Sequence, residues 1–259
     1  MTSIIFWNCR GARKKQTEHF LRSIVGGSEV MFVGLVETMV DEISRKDVNA
    51  LVGPCWDFAH FPASWRSDGL LVLWRNDKIQ FEMVRMFDQA LVGHLVFPNC
   101  EKWCLAVVYA GKDYHTRRGL WEVLSSCIDA ELPVIVGGDF NCCLDQSEKK
   151  GGRRFGFSIV SQEMVALLID NDLHDLGFTG LKYTWSNNNS KIWVWLDRVL
   201  MNSVGIQLAP LVSVRHLLCV ASDHCPLLLR LANVTPNSCC RRIRFEDTWR
   251  TYPAAWKLV

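Results

Sequence analysis

Two short polar clusters in this chain carry the groups that phosphate chemistry needs. In Gly137-Gly138-Asp139-Phe140-Asn141 a carboxylate and an amide stand two positions apart. An Asp can take a proton from water while an Asn orients it, which suits attack on phosphorus. The glycine pair predicts a tight turn of the backbone after a strand. Alone, such a stretch reads equally well as an Asx turn. In Ser222-Asp223-His224 a carboxylate adjoins an imidazole, so one loop offers both metal ligation and phosphate contact. The plain alternative is a polar loop entering a strand. Asp197, in Leu196-Asp197-Arg198, is a candidate to orient His224 by hydrogen bonding, as the carboxylate of a catalytic triad does.

The elements that must position these groups are mostly short apolar runs, rich in β-branched and aromatic residues. Buried strands are expected at 3–8, 30–36, 104–109, 133–136 and 226–231, with antiparallel strands at 70–74, 79–86 and 91–97. A further core segment covers 193–200. Helical periodicity marks 17–25, 116–129 and 161–169, the last opened by Ser161 as a cap. Strands mixed with a few helices, without strict βαβ alternation, predict two packed sheets with helices outside, an α/β sandwich. Asn8, Glu37, Tyr109 and Asp139/Asn141 each follow an apolar run, and Asp223-His224 precedes one. Any one of them is commonly a loop residue. Together they describe one rim, where rigid strands aim side chains into a cleft.

Composition sets the outer bounds. The chain has 259 residues, 49% hydrophobic and 22% charged, a globular balance for one large core or two small domains. A net charge of +2 is too mild to imply a polyanionic partner, so local clusters must carry that case. Eleven cysteines, with Cys142-Cys143 and Cys239-Cys240 adjacent, fit neither a disulfide framework nor a zinc site, and point to a reducing compartment, nuclear or cytoplasmic. The N-terminus lacks a signal-peptide pattern and the apolar runs are strand-sized, so no membrane association is expected. After Leu231 the composition changes. The reading is a domain over 1–232, then a linker and the start of a following region over 233–259.

The ordered set WNCRG (7–11), LVET (35–38), VVYAG (107–111), GGDFN (137–141), YTWSN (183–187), WLDRVL (195–200) and ASDHCPLLL (221–229) resembles the endonuclease/exonuclease/phosphatase superfamily. Within it, the chain is most similar to endonuclease domains of plant LINE-type (non-LTR) retrotransposons. The run at 148–152, the segment at 175–180 and RIRFE (242–246) before Trp249 agree with that branch. The resemblance implies a four-layer α/β sandwich, with two mixed β-sheets flanked by helices. It implies Mg²⁺ as cofactor, with Mn²⁺ as a substitute, held by Glu37 with Asn8 and Asp223 beside it. Tyr109 would contact the scissile phosphate, Asp139 would activate water, and Asn141 would orient it or the phosphate. Asp197 and His224 would form the pair that stabilises charge on phosphorus, with Ser222 near a phosphate oxygen. Trp185 and Ser186 are candidate substrate contacts. Repair-type members carry an acidic residue two places after the first Asn. Arg10 stands there in this chain, which favours the retroelement branch.

The implied activity is nicking of double-stranded DNA to leave a 3′-hydroxyl for target-primed reverse transcription, with a reverse transcriptase region downstream as partner. Alternatives are a small-molecule phosphoesterase acting on inositol phosphates or lipids, or a non-catalytic binding module derived from an element. Basic clusters at 13–15, 117–118, 149–154 and 241–244 would neutralise DNA phosphates if they line the rim. Each is equally readable as solvated surface charge.

Overall fold

Alternation along the first strand already requires two apolar layers. In Thr2–Asn8, Ile4 and Phe6 join one buried cluster while Ile5 and Trp7 join another. A strand apolar on both faces belongs in the middle of a covered sheet. The computed structural model, which describes residues 2–64, 68–187, 189 and 191–232, places it there. It pairs in parallel with Val30–Val36 and antiparallel with Leu227–Leu231. That sheet runs in the order Thr179–Gly180, Ser213–His216, Leu227–Leu231, Thr2–Asn8, Val30–Val36, Leu70–Arg75, Trp56–Phe61. The second sheet runs Leu173–Asp175, Asp197–Asn202, Val134–Asp139, Lys102–Tyr109, Ala90–Val96, Gln80–Phe87. Its centre is again a parallel pair, Lys102–Tyr109 with Val134–Asp139.

Three cores separate four layers. Ile4, Phe6, Phe32, Val72, Leu105, Val107 and Ile135 fill the space between the sheets. Helices Lys15–Gly27 and Arg45–Val52 cover the outer face of the first sheet over Trp7, Leu35, Val48 and Leu51. Tyr114–Cys127 and Ile159–Asp170 cover the second over Leu120, Leu124, Phe140 and Met164. Two mixed sheets flanked by helices is the expected four-layer sandwich. No described helix is long and apolar enough to cross a membrane.

The glycines of the 137–141 stretch do a different job from the predicted turn. Gly137 and Gly138 lie inside the Val134–Asp139 strand. A Cβ on Gly137 would lie 2.6 Å from the Phe6 ring, and one on Gly138 would lie 2.0 Å from the Val108 carbonyl oxygen. Close approach of sheet to sheet, and of strand to strand, excludes a side chain at both positions.

Other differences are local. The helix expected at 161–169 begins at Ile159 after Ser158; Ser161 lies within it and donates its hydroxyl to the Cys143 carbonyl. The core segment expected over 193–200 divides into Trp193–Val194, in a three-stranded side sheet with Trp185–Ser186 and Lys149–Lys150, and Asp197–Asn202. The short helix Arg45–Val52 was not expected. Its signal is the capping box in which Ser44 and Asp47 satisfy each other's backbone N–H groups. The linker and tail read over 233–259 lie outside the described residues.

Gly137→Ala should therefore destabilise the protein by about 1–3 kcal/mol through overpacking against Phe6. Gly26→Ala, on a helix with open space around the Cβ, should be neutral or raise stability by up to about 1 kcal/mol. Denaturant unfolding of both variants checks the pair. Equal effects would remove the close-approach explanation.

Candidate active site and metal centre

Parallel pairing delivers the polar residues to one rim. Both parallel pairs end together, with Asn8 opposite Val36 and Tyr109 opposite Asp139. Asp197 opens the neighbouring antiparallel strand directly across from Asp139. Leu227 pairs with Phe6, so the loop before it, Ser222 to His224, arrives beside Asn8. The backbone leaves these strand ends through left-handed residues at Arg10 (φ 46°), Glu37 (φ 50°) and Asn141 (φ 46°). Non-glycine residues in that region cost roughly 1 kcal/mol or more and concentrate at sites where a side chain must be aimed. Backbone pairing holds the first two in place. Gly11 N–H donates to the Glu37 carbonyl at 2.8 Å and Ala12 N–H to the Thr38 carbonyl at 2.9 Å.

Asn8 is the hub. Its buried Nδ2 donates to Glu37 Oε1 and to Asp139 Oδ2, both at 2.9 Å, and lies 3.5 Å from His224 Nε2. His224 Nδ1 meets Asp197 Oδ2 at 2.9 Å, while Nε2 is 3.7 Å from Asp139 Oδ2. Burial opposes charge on this imidazole, yet the Asp197 and Asp139 carboxylates outweigh it and lift the pKa to about 9. Burial and the Asp197 charge push Asp139 upward, while His224 and the Asn8 amide pull it back. Two carboxylates facing one ring thus favour the imidazolium form of His224.

The remaining candidates surround this set. Tyr109 donates its hydroxyl to Asp68 Oδ2 at 2.9 Å; burial, then the Glu37 charge, raise its pKa and keep the phenol protonated. Arg10 spans Glu37 Oε2, 3.1 Å from its Nε, and Asp223 Oδ2, 2.9 Å from its Nη1. Trp185 Nε1 also donates to Asp223 Oδ2, at 2.9 Å. Ser186 N–H donates to the Asp223 carbonyl at 3.3 Å. Asp139 Oδ1 accepts from Asn141 N–H at 2.9 Å, and the Asn141 amide donates to the Ala110 carbonyl at 2.8 Å.

Ser222 and Trp185 both engage their polar groups within the protein. The Ser222 hydroxyl donates to the Asn8 carbonyl and accepts from His224 N–H, so it ties the loop to the strand instead of facing outward. The Trp185 indole N–H is committed to Asp223, leaving only its half-buried ring for other contacts. Cys219 and Cys225, which bracket this loop, are joined by a disulfide, a pairing that residue spacing did not suggest.

Two groupings can hold a cation. Asp139, Asp197 and His224 place ligand atoms within 4.8 Å of one another. There the imidazolium already offsets part of the charge of the two carboxylates, and a metal held by the ring would have to displace a ring proton. The second grouping is Glu37, Asp223 and Asn8, and the donor chemistry fits it better. Asn8 Oδ1 is buried without a hydrogen-bond partner, and carboxylate and amide oxygens are the hard donors that Mg²⁺ or Mn²⁺ takes.

Sequence reading did not select Arg10, Asp68 or Thr184 as site residues. Thr184 Oγ accepts from both Leu196 and Asp197 N–H at 3.0 Å and so fixes Asp197. Its only signal was a place inside the YTWSN motif. Of the basic clusters, Arg117 is buried and donates to the Asn141 and Lys112 carbonyls, Arg118 pairs with Glu163, and Arg13 pairs with Asp47. Lys14 lines an open groove of about 390 Å³ with Arg10, Gln16, Ser222 and Asp223. Lys150, Arg153 and Arg154 are exposed, and the cluster at 241–244 lies outside the described residues.

This architecture is shared with solved structures of low sequence identity. An AP endonuclease from Leishmania major is 16% identical and aligns over 88% of this chain and 86% of its own, with a TM-score of 0.71. The endonuclease domain of TRAS1, a telomere-specific non-LTR retrotransposon, is 14% identical over 91% of this chain and 100% of its own, with a TM-score of 0.68. The human Nocturnin catalytic domain with bound sulfate anion is 16% identical over 88% and 92%, with a TM-score of 0.59. No curated protein matches the chain significantly. The family model for Endonuclease/Exonuclease/phosphatase proteins matches residues 5–224, spanning every rim residue described above, and the chain belongs to that family.

Proposed function

We propose that the chain is a divalent-metal-dependent phosphodiesterase that nicks double-stranded DNA and leaves a 3′-hydroxyl, the step that primes reverse transcription of a LINE-type element. The observation that carries this reading is the single buried hydrogen-bonded set Asn8, Glu37, Asp139, Asp197 and His224. Mg²⁺, with Mn²⁺ as substitute, would be held by Glu37, Asp223 and Asn8 Oδ1. Bound there, it supplies Lewis-acid stabilisation of charge on the phosphate oxygens. Asp139 takes a proton from the attacking water, with Asn141 orienting the water or the phosphate. The His224 imidazolium and the protonated Tyr109 phenol stabilise the added negative charge, and Asp197 fixes the ring. Water oxygen bonds to phosphorus, the bond to the 3′ oxygen breaks, and that oxygen gains a proton from solvent.

The DNA assignment rests on the open groove beside the cluster and its lining cations, Arg10 and Lys14, with the exposed Lys150, Arg153 and Arg154 as further phosphate contacts. An open basic groove favours a polymer over an inositol phosphate or lipid headgroup in a closed pocket. The retrotransposon endonuclease and AP endonuclease neighbours support the same reading. The motif order in the sequence supports the LINE-type branch and a downstream reverse transcriptase region. A complete set of catalytic groups weighs against a purely binding role.

Supercoiled plasmid should be converted to nicked circles in Mg²⁺, and chelator should abolish conversion; cleavage indifferent to chelator would remove the metal. Under single-turnover conditions, Asp139→Ala and His224→Ala should each slow nicking by roughly two to four orders of magnitude. The double variant should lose far less than the product of those factors, because both groups serve one event. Rates within about threefold of wild type for either single variant would end its catalytic assignment.

The ion pair is checked separately by NMR. His224 should titrate near pH 9 in the metal-free protein, and Asp197→Asn should bring it down. Because folding raises this pKa above its ordinary value of about 6.5, the associated stability is full below that pH and is lost as pH rises through 9. A wild-type value near the ordinary one would refute the imidazolium.

A further inference from the structure

Arg10 lines the proposed DNA groove, yet its charged group is already engaged on the other side. Its guanidinium touches the two carboxylates, Glu37 and Asp223, that the proposed metal would use. It is held there by backbone, not by packing. The residue sits at a left-handed φ of 46° between Cys9 and Gly11, whose N–H groups are anchored to the neighbouring strand end. Yet the contact is loose on one side. Nε lies 3.1 Å from Glu37 Oε2, but without the alignment of a hydrogen bond, and it makes no other. The side chain is also 36% exposed and borders the groove that it shares with Lys14. It can therefore move outward without unfolding anything.

The charges give the arrangement its meaning. The inner rim sets Glu37, Asp139, Asp197 and Asp223 against Arg10 and His224, with the Asp68 carboxylate a fifth behind Tyr109. His224 is spent on Asp139 and Asp197. Arg10 offsets part of the charge of Glu37 and Asp223, and a second cation on the same oxygens meets it as a like charge at close range.

We propose that Arg10 guards the metal seat. In the metal-free protein it occupies Glu37 and Asp223, a divalent ion binds only by displacing it, and the released guanidinium swings to the Lys14 groove where a DNA phosphate lies. Arg10 thus weakens metal binding by the free protein and couples it to the substrate, since a phosphate that draws Arg10 outward vacates the carboxylates. By linkage, metal and DNA backbone then strengthen each other's binding.

This inference rests on the metal seat proposed above, and one set of titrations separates the two. Mg²⁺ and Mn²⁺ binding to the whole chain is measured without DNA, by calorimetry and by Mn²⁺ paramagnetic resonance. Wild type is compared with Arg10→Ala, Arg10→Gln, Arg10→Lys and Glu37→Gln, each first shown to melt cooperatively. Removing the guanidinium should tighten metal binding about tenfold, near 1.4 kcal/mol. The two neutral variants should agree, so either serves if the other fails to fold. Arg10→Lys, which keeps the charge, should stay within about twofold of wild type. Unchanged or weaker binding in the neutral variants, with binding lost in Glu37→Gln, would overturn the guard while leaving the seat. Glu37→Gln binding metal like wild type would overturn both, and would direct attention to Asp139, Asp197 and His224.

Discussion

The site depends on one buried amide that joins the two sheets. Asn8 closes the central strand of the first sheet, and both its N–H groups are used, one on Glu37 in its own sheet and one on Asp139 in the other. A buried amide loses several kcal/mol if its partners are withdrawn, so the rims of the two sheets are fixed at this point. Gly34 and Gly137 make the approach possible. A Cβ on Gly34 would lie 2.6 Å from Val107, and one on Gly137 as close to Phe6. The sandwich is thin where the chemistry sits, and small residues keep it so.

Charge is organised in two independent couples around that amide. His224 answers Asp139 and Asp197 deep in the rim, and Arg10 answers Glu37 and Asp223 nearer the surface. The inner couple is enclosed, with the Ser222 hydroxyl and Trp7 Nε1 fastening the backbone of the histidine loop. The outer couple borders the groove. A buried ion pair is a poor source of stability but a good means of fixing orientation, which is what a group acting on phosphorus requires. In the outer group Glu37 is buried, and Arg10 is the exposed member.

Much of this was legible in the sequence because strands announce their ends. Asn8, Tyr109 and Asp139 follow apolar runs whose registers bring them together, and the alternation in Thr2–Asn8 already demanded cover on both faces. The resemblance carried by ordered motifs gave the four layers, and the family match bears that out. What stayed hidden depends on distances that no local pattern encodes. The Gly137-Gly138 pair looks like turn chemistry, and only the position of Phe6 shows that it clears space. The bridge that the Ser222 hydroxyl makes between Asn8 and His224 likewise has no signal in the sequence. Arg117 looks like a surface cation, yet it is buried with two carbonyls. Arg10 was noticed as a departure from the repair-type pattern, but its two carboxylate partners are 27 and 213 residues away in the chain.

The first strand has a consequence for how the molecule comes into being. Thr2–Asn8 is the first of the described strands to be made, yet one of its flanking strands, Leu227–Leu231, is the last. At about 5–20 residues per second, the nascent chain spends on the order of ten seconds or more with the edge of its central strand unpaired. The earlier partner, Val30–Val36, can dock at once on the other side, but the rim cannot close until the histidine loop has emerged. Contacts of such long sequence separation form slowly. Closure of the rim is therefore a late step, because Asp223 and His224 are made after all of the residues that they join and are fixed only when Leu227–Leu231 docks beside Thr2–Asn8.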